Sequence, residues 1–394
     1  MLKDLDSLKT VIKPEKVCID NKIFKLHTKL TFILLVGFSL ALTCKQYVGE
    51  PIECVVHKEP LSKEVMNSYC WIHSTFTVPK WIDGRIGKDV SHPGVSSYTD
   101  RDEIKYHSYY QWVCFVLFFQ AVLFYIPRYL WKTWERGLIK NMLQSLGNPV
   151  LDEETRTKEK KKLAEYLYKS LRHHKSYAVR FFICEALNFV NVFGQIYLMD
   201  SFLGGEFTTY GYSVIGFSEM QPEDRGDPMS FVFPKVTKCT FHMFGASGSV
   251  QTIDSLCVLA LNILNEKIYI FLFFWFGLLS IISGLELVYR ACLFCSRTMR
   301  LCCLCYNAGF THHKEIETIT QKCDIGDCFI LCQLSKNMDL LTFQELIGLV
   351  YERLIGKSDS TKKKNGALDQ TKVNEEAVTT DYLKVSKECV VEIV

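Results

Sequence analysis

Residues 268–285 read IYIFLFFWFGLLSIISGL and contain no charged side chain. Because a helix rises about 1.5 Å per residue, a run of this length crosses most of the roughly 30 Å hydrocarbon core of a bilayer. A second uncharged run of similar length, SYYQWVCFVLFFQAVLFYIP, occupies residues 108–127. These two runs predict membrane-spanning helices and argue against a single soluble domain.

Two more apolar runs complete a set of four in this chain of 394 residues. Residues 181–199 are nearly as long but include Glu185, and residues 30–44 form the shortest run. We extend that first helix over residues 22–47, because lysines near its two ends can carry their charges to the interface along apolar stems. The sequence therefore predicts four spans.

The distribution of Lys and Arg orients these spans, since cytosolic segments of membrane proteins are enriched in basic residues. The N-terminal segment is rich in lysine, and the loop between the second and third spans contains the run KEKKK at residues 158–162. Residues 203–265 instead contain three basic residues and six carboxylates. Both termini and the middle loop are predicted to be cytosolic.

Two further properties of the sequence exclude other classes of protein. Acidic residues before Leu30 argue against a cleavable signal peptide. The net charge of +3 gives no indication of a nucleic-acid partner.

Four of the 17 cysteines fall in the two predicted outer loops, Cys54 and Cys70 in the first and Cys239 and Cys257 in the second. Disulfides persist outside the cell, so an even number of cysteines in each loop favours disulfides over free thiols. Four cysteines permit three pairings, and their spacing does not choose among them.

The predicted fold is an all-α membrane protein, a four-transmembrane-helix bundle with disulfide-stapled extracellular loops and a cytosolic helical domain. Apolar residues at helical spacing over 315–354 predict two or three short helices, and the lysine-rich, aromatic-poor sequence beyond Gly356 predicts a disordered tail. The predicted segments are the N-terminal cytosolic segment 1–21, the spans 22–47, 108–131, 179–202 and 266–291, the outer loops 48–107 and 203–265, the cytoplasmic loop 132–178, the cytosolic helical domain 292–355 and the tail 356–394.

Polar residues form a stripe along the third span. Glu185, Asn188, Asn191 and Gln195 are three, three and four residues apart, so they share one helical face. That face is costly to expose to lipid. It either forms hydrogen bonds with neighbouring helices, which we favour, or lines a pore.

Two features of the first and second spans also have alternative interpretations. Lys22, Lys25 and Lys29 lie near one face at the cytosolic end of the first span, where they either anchor to anionic lipid headgroups or form a ring of positive charge at a pore mouth. Pro127, near the inner end of the second span, is expected to kink or end that helix.

Five cysteines follow the last span closely: Cys292, Cys295, Cys302, Cys303 and Cys305. Acylation or idle thiols are favoured over a zinc site, because few residues separate the two Cys-x-x-Cys pairs. The histidine pairs at 173–174 and 312–313 lack zinc-protease spacing and are expected to be solvated. Nucleophile-elbow and phosphate-binding motifs are missing, so we expect no enzyme activity, no cofactor and no metal.

A family resemblance rests on motifs in several parts of the chain. The second span opens with the pentapeptide Tyr109, Tyr110, Gln111, Trp112 and Val113, and Pro127 lies near the inner end of the same span. From physics alone this pentapeptide reads as an aromatic belt at the outer interface. Other motifs are YVGEPIEC at 47–54, FPKVTKC at 233–239, NILNEKIY at 262–269, Gly326-Asp327 and Asn337-Met338-Asp339. From about residue 20 to 354 the chain resembles the innexins, the invertebrate gap-junction proteins.

The resemblance implies a ring of subunits, an octamer, that docks to a matching ring on the neighbouring cell and passes ions and small molecules between cells, or acts as an undocked hemichannel. It also implies disulfides from Cys54 to Cys257 and from Cys70 to Cys239. The alternative is a four-span adhesion or scaffold protein of the plasma membrane without a pore. The pore-lining candidates are Leu2, Lys3, Asp4, Leu5 and Leu8 of an N-terminal funnel, together with Lys22, Lys25 and Lys29.

Overall fold

The computed structural model describes residues 17–56, 61–84, 86–99, 101–144, 152–217 and 228–362. The helices are α1 Lys22–Val48, α2 Lys63–His73, α3 Val113–Glu135, α4 Leu138–Leu143, α5 Glu153–Lys169, α6 Lys175–Phe202, α7 Phe207–Phe217, α8 Pro228–Val232, α9 Ala260–Cys295, α10 Arg297–Asn307, α11 His313–Lys322, α12 Ile325–Ser335 and α13 Leu340–Lys362. The strands are β1 Glu53–Val55, β2 Thr75–Thr77, β3 Lys105–His107, β4 Val236–Phe244 and β5 Val250–Val258.

Four of these helices are long and apolar enough to cross a membrane: α1, α3, α6 and α9. Three of them contain the corresponding run from the sequence, and α3 begins only at Val113, so residues 108–112 of the second run precede it. The predicted four-helix membrane fold is confirmed. Apart from the start of α3, their ends extend beyond the apolar runs because a helix continues into the interfacial region as long as its backbone hydrogen bonds are satisfied within it.

The first span is not a regular α-helix. Residues Leu26–Thr31 are π-helical, and the Thr31 hydroxyl donates a hydrogen bond to the Leu26 carbonyl at 2.9 Å. A π-helical turn has a longer repeat than an α-helical one. The expectation that Lys22, Lys25 and Lys29 share one face assumed regular α-helical spacing, and this segment breaks that spacing.

The second span continues past its proline. Helix α3 contains Pro127 in its interior and ends only at Glu135. Of the two alternatives expected for Pro127, a kink or the end of the helix, the second is therefore wrong. A proline removes one backbone donor, and helices within membranes tolerate that loss when neighbouring groups satisfy the freed carbonyl.

The described parts of residues 26–126 and 188–282 form one compact unit. It contains a five-stranded antiparallel sheet in the order β1-β5-β4-β2-β3. Strands β4 and β5 form a hairpin closed by Gly245–Ser249, where Gly248 has a positive φ of 80° that favours glycine. This sheet is built from the two outer loops, for which the sequence analysis predicted no strands.

The described parts of residues 1–25, 127–187 and 283–394 form a second compact unit, which is helical. Its core includes an aromatic cluster in which the Trp131 and Phe181 rings lie 4.9 Å apart and the Phe181 and Phe329 rings 5.0 Å apart. Buried aliphatic residues such as Ile330 and Ile347 extend this core. Edge-to-face and tilted aromatic packing of this kind stabilises a core beyond the area it buries.

Helix α12 packs tightly against the start of α6. A Cβ on Gly326 would lie 2.3 Å from the His174 carbonyl carbon, so only glycine fits there. The His174 Nδ1 atom lies 2.9 Å from an Asp327 oxygen, and both side chains are buried. The expectation that His174 is solvated is therefore wrong, because this close approach covers the imidazole and supplies a carboxylate partner.

Three helices, α11 to α13, occupy the region where two or three short cytosolic helices were predicted. Helix α13 continues to Lys362, past Gly356, where the sequence analysis placed the start of a disordered tail. Residues 363–394 lie outside the described residues.

Candidate functional sites

Two disulfides join the first outer loop to the second. Cys54 on β1 is bonded to Cys257 on β5, and Cys70 on α2 is bonded to Cys239 on β4. Cys54 and Cys257 are direct partners in the register of the two strands. All four cysteines are buried, and the pairs are those that the innexin resemblance implies. Removing such a disulfide typically costs about 2–5 kcal/mol of stability.

The signature pentapeptide attaches the second span to both outer loops. The Tyr109 hydroxyl donates to the Val232 carbonyl at 2.9 Å, and the Tyr110 hydroxyl donates to the Cys70 carbonyl at 3.3 Å. The Gln111 side chain donates to the Trp71 carbonyl. An aromatic belt alone does not explain these residues, because Tyr110 is buried by the outer loops and its hydroxyl is used within them.

The last two residues of the pentapeptide differ in exposure. Trp112 is 60% exposed, as expected for an aromatic residue at a membrane interface, whereas Val113 is buried at the start of α3. The pentapeptide thus combines one interfacial aromatic residue with four that pack against protein.

Polar side chains of β3 make contacts both outside and within the outer-loop sheet. The Lys105 ammonium on β3 lies 2.6 and 2.7 Å from the two Glu206 oxygens, so this ion pair also links the two outer loops. The neighbouring His107 is buried, with its Nε2 atom 2.8 Å from the Thr77 hydroxyl. Burial, and next the Lys105 charge, lowers the pKa of His107 to about 3. The imidazole is therefore neutral at physiological pH.

Glu185, the carboxylate of the polar stripe, is paired with an arginine from the end of α9. The Arg290 Nε atom donates to Glu185 Oε2 at 2.8 Å, and Nη2 donates to Oε1 at 3.0 Å. Arg290 also lies 2.8 Å from Glu286, and the Asn21 amide donates to both carboxylates at 2.6 and 3.0 Å. This network favours the interpretation that Glu185 holds helices together.

The rest of the stripe is also covered by protein. Asn188 and Gln195 are buried, and the Gln195 amide donates to Asn191 at 3.0 Å. Among the described residues, three of the stripe's side-chain atoms remain without a hydrogen-bond partner: Asn188 Oδ1, Asn191 Nδ2 and Gln195 Oε1. Buried polar atoms of this kind normally have a partner, so this face still has hydrogen-bonding capacity.

The cytosolic end of the first span carries the remaining described candidates. Lys22 is exposed, and the Lys25 ammonium lies 2.8 Å from the Cys18 sulfur. Lys29 is half-buried at the start of the other unit. The funnel candidates Leu2, Lys3, Asp4, Leu5 and Leu8 lie outside the described residues.

The juxtamembrane cysteines are dispersed. Cys292 and Cys295 are exposed at the end of α9, whereas Cys302 and Cys305 are buried on α10. Within the described residues, the only group of three or more His, Cys, Asp or Glu side chains close enough together to hold a metal ion consists of the disulfide-bonded Cys54, Cys70 and Cys257 of the outer loops.

Sequence reasoning missed Arg290 as a partner of Glu185. The signal available in the sequence was the position of Arg290. It follows Glu286 by four residues, just beyond the uncharged run 268–285. Charges inside spans are usually paired, but nothing in the sequence identifies the partner's span.

Comparison with known proteins agrees with the geometry. The Innexin family profile matches residues 20–354. The chain is 56% identical over 352 residues to Innexin inx2 of Schistocerca americana, covering 89% of this chain and 98% of the relative. It is 52% identical over 359 residues to Innexin inx2 of Drosophila melanogaster, covering 91% and 97%, and 42% identical over 355 residues to Innexin shaking-B of the same organism, covering 90% and 95%. The chain belongs to the innexin family.

Proposed function

We propose that this innexin assembles into an octameric ring around an aqueous pore, and that rings in apposed membranes dock through their outer loops. Innexins are gap-junction proteins of the plasma membrane, and this multi-pass chain is a subunit of a channel that passes ions and small molecules between adjacent cells. One four-helix bundle is too narrow for hydrated ions, so the pore lies on the axis of an oligomer.

The observation that carries the docking proposal is the pair of disulfides between the outer loops. Disulfides persist outside the cell, which supports an extracellular sheet and cytosolic termini. A sheet closed by Cys54–Cys257 and Cys70–Cys239 loses little conformational entropy when it meets a partner. Preorganised surfaces of this kind bind more tightly than flexible ones.

The tip of the β4–β5 hairpin is the part of this sheet that we propose to meet the opposite ring. Phe244 and Val250 are direct partners across the hairpin, and they are 74% and 62% exposed. An apolar pair at the end of an extracellular hairpin is costly to leave in water and would be buried against a docked ring.

The pore-lining residues are proposed from the family resemblance. The N-terminal residues Leu2, Lys3, Asp4, Leu5 and Leu8 would narrow the cytosolic mouth. Lys22, Lys25 and Lys29 would contribute positive charge near the inner end of α1, or alternatively contact anionic lipid headgroups. The exposure of Lys22 is compatible with either role.

The test is intercellular conductance between paired cells that express only this chain. A channel gives junctional current and dye transfer, whereas an adhesion or scaffold protein without a pore gives cell contact without current. A current in unpaired cells would identify the undocked hemichannel. Projection images of purified particles would count the subunits, and a count other than eight would reject the octamer.

A further inference from the structure

Two cytosolic thiols lie within reach of one another. Cys303 on α10 and Cys332 on α12 have their sulfur atoms 3.6 Å apart. Both side chains are half-buried, and both line a cavity of about 960 Å³. Small solutes therefore have a route to these sulfurs, unlike the sulfur of Cys305, which is buried two residues further along α10.

The surroundings of Cys303 stabilise a thiolate. Its sulfur lies 3.6 Å from the Tyr289 hydroxyl and 3.8 Å from the Asn307 amide, both of which donate hydrogen bonds. The guanidinium of Arg290 and the ammonium of Lys336 line the same cavity. Two hydrogen-bond donors and two positive charges are thus arranged around one sulfur, which favours its ionised form.

These contacts distinguish Cys303 from its neighbours. The hydrogen bond from Cys332 lowers the pKa of Cys303, and the Tyr289 hydroxyl and the positive charges of Arg290 and Lys336 act in the same direction, against the effect of burial. Burial instead raises the pKa of Cys305 to about 11 and that of Cys328 to about 12. Cys303 is therefore the thiol of this group that is best suited to act as a nucleophile.

We propose that Cys303 and Cys332 form a peroxide-sensitive thiol pair, in which Cys303 is the residue attacked first and Cys332 resolves it to a disulfide. The oxidant is hydrogen peroxide. The Cys303 thiolate attacks one peroxide oxygen, so that an S–O bond forms, the O–O bond breaks and the departing hydroxide takes up a proton to become water. Cys303 is then a sulfenic acid.

In the second step the Cys332 sulfur attacks the Cys303 sulfur. An S–S bond forms, the S–O bond breaks, and the departing hydroxide combines with the Cys332 proton as water. Overall, two thiols lose two electrons and one peroxide is reduced to two waters. The sulfurs must approach from 3.6 Å to about 2 Å for the bond to form. Cytosolic thiols return the pair to its reduced form by exchange.

The consequence is a covalent link between α10 and α12. Helix α10 begins directly after α9, which ends at Cys295, and the Ser296 hydroxyl caps it by accepting a hydrogen bond from the Met299 amide. The disulfide would therefore fix the first helix after the fourth span, α10, to α12 within the helical domain in response to peroxide.

The experiment uses full-length protein in membranes of expressing cells. The membranes are treated with graded hydrogen peroxide, free thiols are blocked with N-ethylmaleimide, and tryptic peptides are analysed by mass spectrometry without reduction. The expected product is a cross-link between the peptides 301–314 and 323–336 that disappears on reduction. This measurement on the unaltered chain needs no variant to fold.

Variants then assign the roles. In Cys332→Ser the cross-link should be lost, and dimedone should trap a sulfenic acid on Cys303. In Cys303→Ser the cross-link should be lost and Cys332 should remain unlabelled. Cys305→Ser is the matched control on the same helix and should retain the cross-link. Dimedone should label Cys303 at least about tenfold faster than Cys305.

Several results would overturn the proposal. These are a missing cross-link in the unaltered chain, a cross-link that survives in Cys303→Ser, a cross-link lost in Cys305→Ser, or preferential oxidation of the exposed Cys292 and Cys295. The peptide readout does not depend on conductance, so it is independent of the proposed ring and docking.

Discussion

The guanidinium of Arg290 forms two hydrogen bonds with the carboxylate of Glu185, and the two residues come from different membrane-spanning helices. Their side chains are only 12% and 5% exposed. Removing one partner of a buried pair leaves the other charge without compensation, which typically costs about 3–5 kcal/mol.

This pair predicts a non-additive mutant cycle. Glu185→Leu and Arg290→Met should each lower the stability of the detergent-purified protein strongly. The double variant should be more stable than Arg290→Met alone, because Arg290→Met leaves both Glu185 and Glu286 without a cation, whereas the double variant leaves only Glu286. Thermal unfolding measures all three. Additive losses would show that the two residues do not depend on each other.

Removing the Cys54–Cys257 disulfide should greatly reduce coupling between paired cells. The double variant Cys54→Ser with Cys257→Ser should lose about 2–5 kcal/mol in the outer-loop sheet and most of its junctional conductance. Cys44→Ser, which alters an exposed free thiol, is the control and should couple normally. Unchanged conductance in the double variant would mean that docking does not require this link between the loops.

Acidic pH should destabilise the outer-loop sheet through His107. Its pKa is lowered from 6.5 to about 3 in the folded chain, so between these values the unfolded chain binds a proton that the folded chain does not. Stability therefore falls as the pH falls below 6.5, by about 1.4 kcal/mol per unit, or about 2 kcal/mol at pH 5.

Thermal unfolding between pH 7.5 and pH 5 measures this loss. His107→Gln should flatten the dependence, since glutamine has no proton to gain, even if the variant is less stable at every pH. His242→Gln, at an exposed position on the hairpin, should leave the slope as it is. A His107→Gln variant with an undiminished slope would assign the effect to another group.

A charge at the hairpin tip should impair docking and leave the single ring intact. Phe244→Asp would place a carboxylate where we propose that two rings meet, and desolvating an unpaired charge is costly. Junctional conductance should fall at least about tenfold, which corresponds to about 1.4 kcal/mol, at unchanged surface expression. Ser247→Asp adds the same charge at an exposed turn position and should have a smaller effect. Equal losses in both variants would point to net charge and not to the apolar contact.

Local sequence rules account for the four spans and fail where the helices depart from regularity. A run such as residues 268–285 can be identified as a span without knowing which residues it packs against, because its length and apolarity alone decide whether a helix can cross a bilayer. The π-helical turn at Leu26–Thr31 and the continuation of α3 through Pro127 were not predictable. Both depend on how neighbouring groups satisfy the backbone, and such neighbours are not adjacent in sequence.

The sequence by itself determined that the chain crosses a membrane four times, which loops carry paired cysteines, and, through its motifs, the resemblance to innexins. Only the tertiary structure decided that β1 lies beside β5 so that Cys54 faces Cys257, that Arg290 neutralises Glu185, and that Cys303 meets Cys332. The physical reason is separation along the chain. Hydropathy is a local property, whereas a bond or ion pair between distant residues exists only after folding has brought their backbones within a few ångströms.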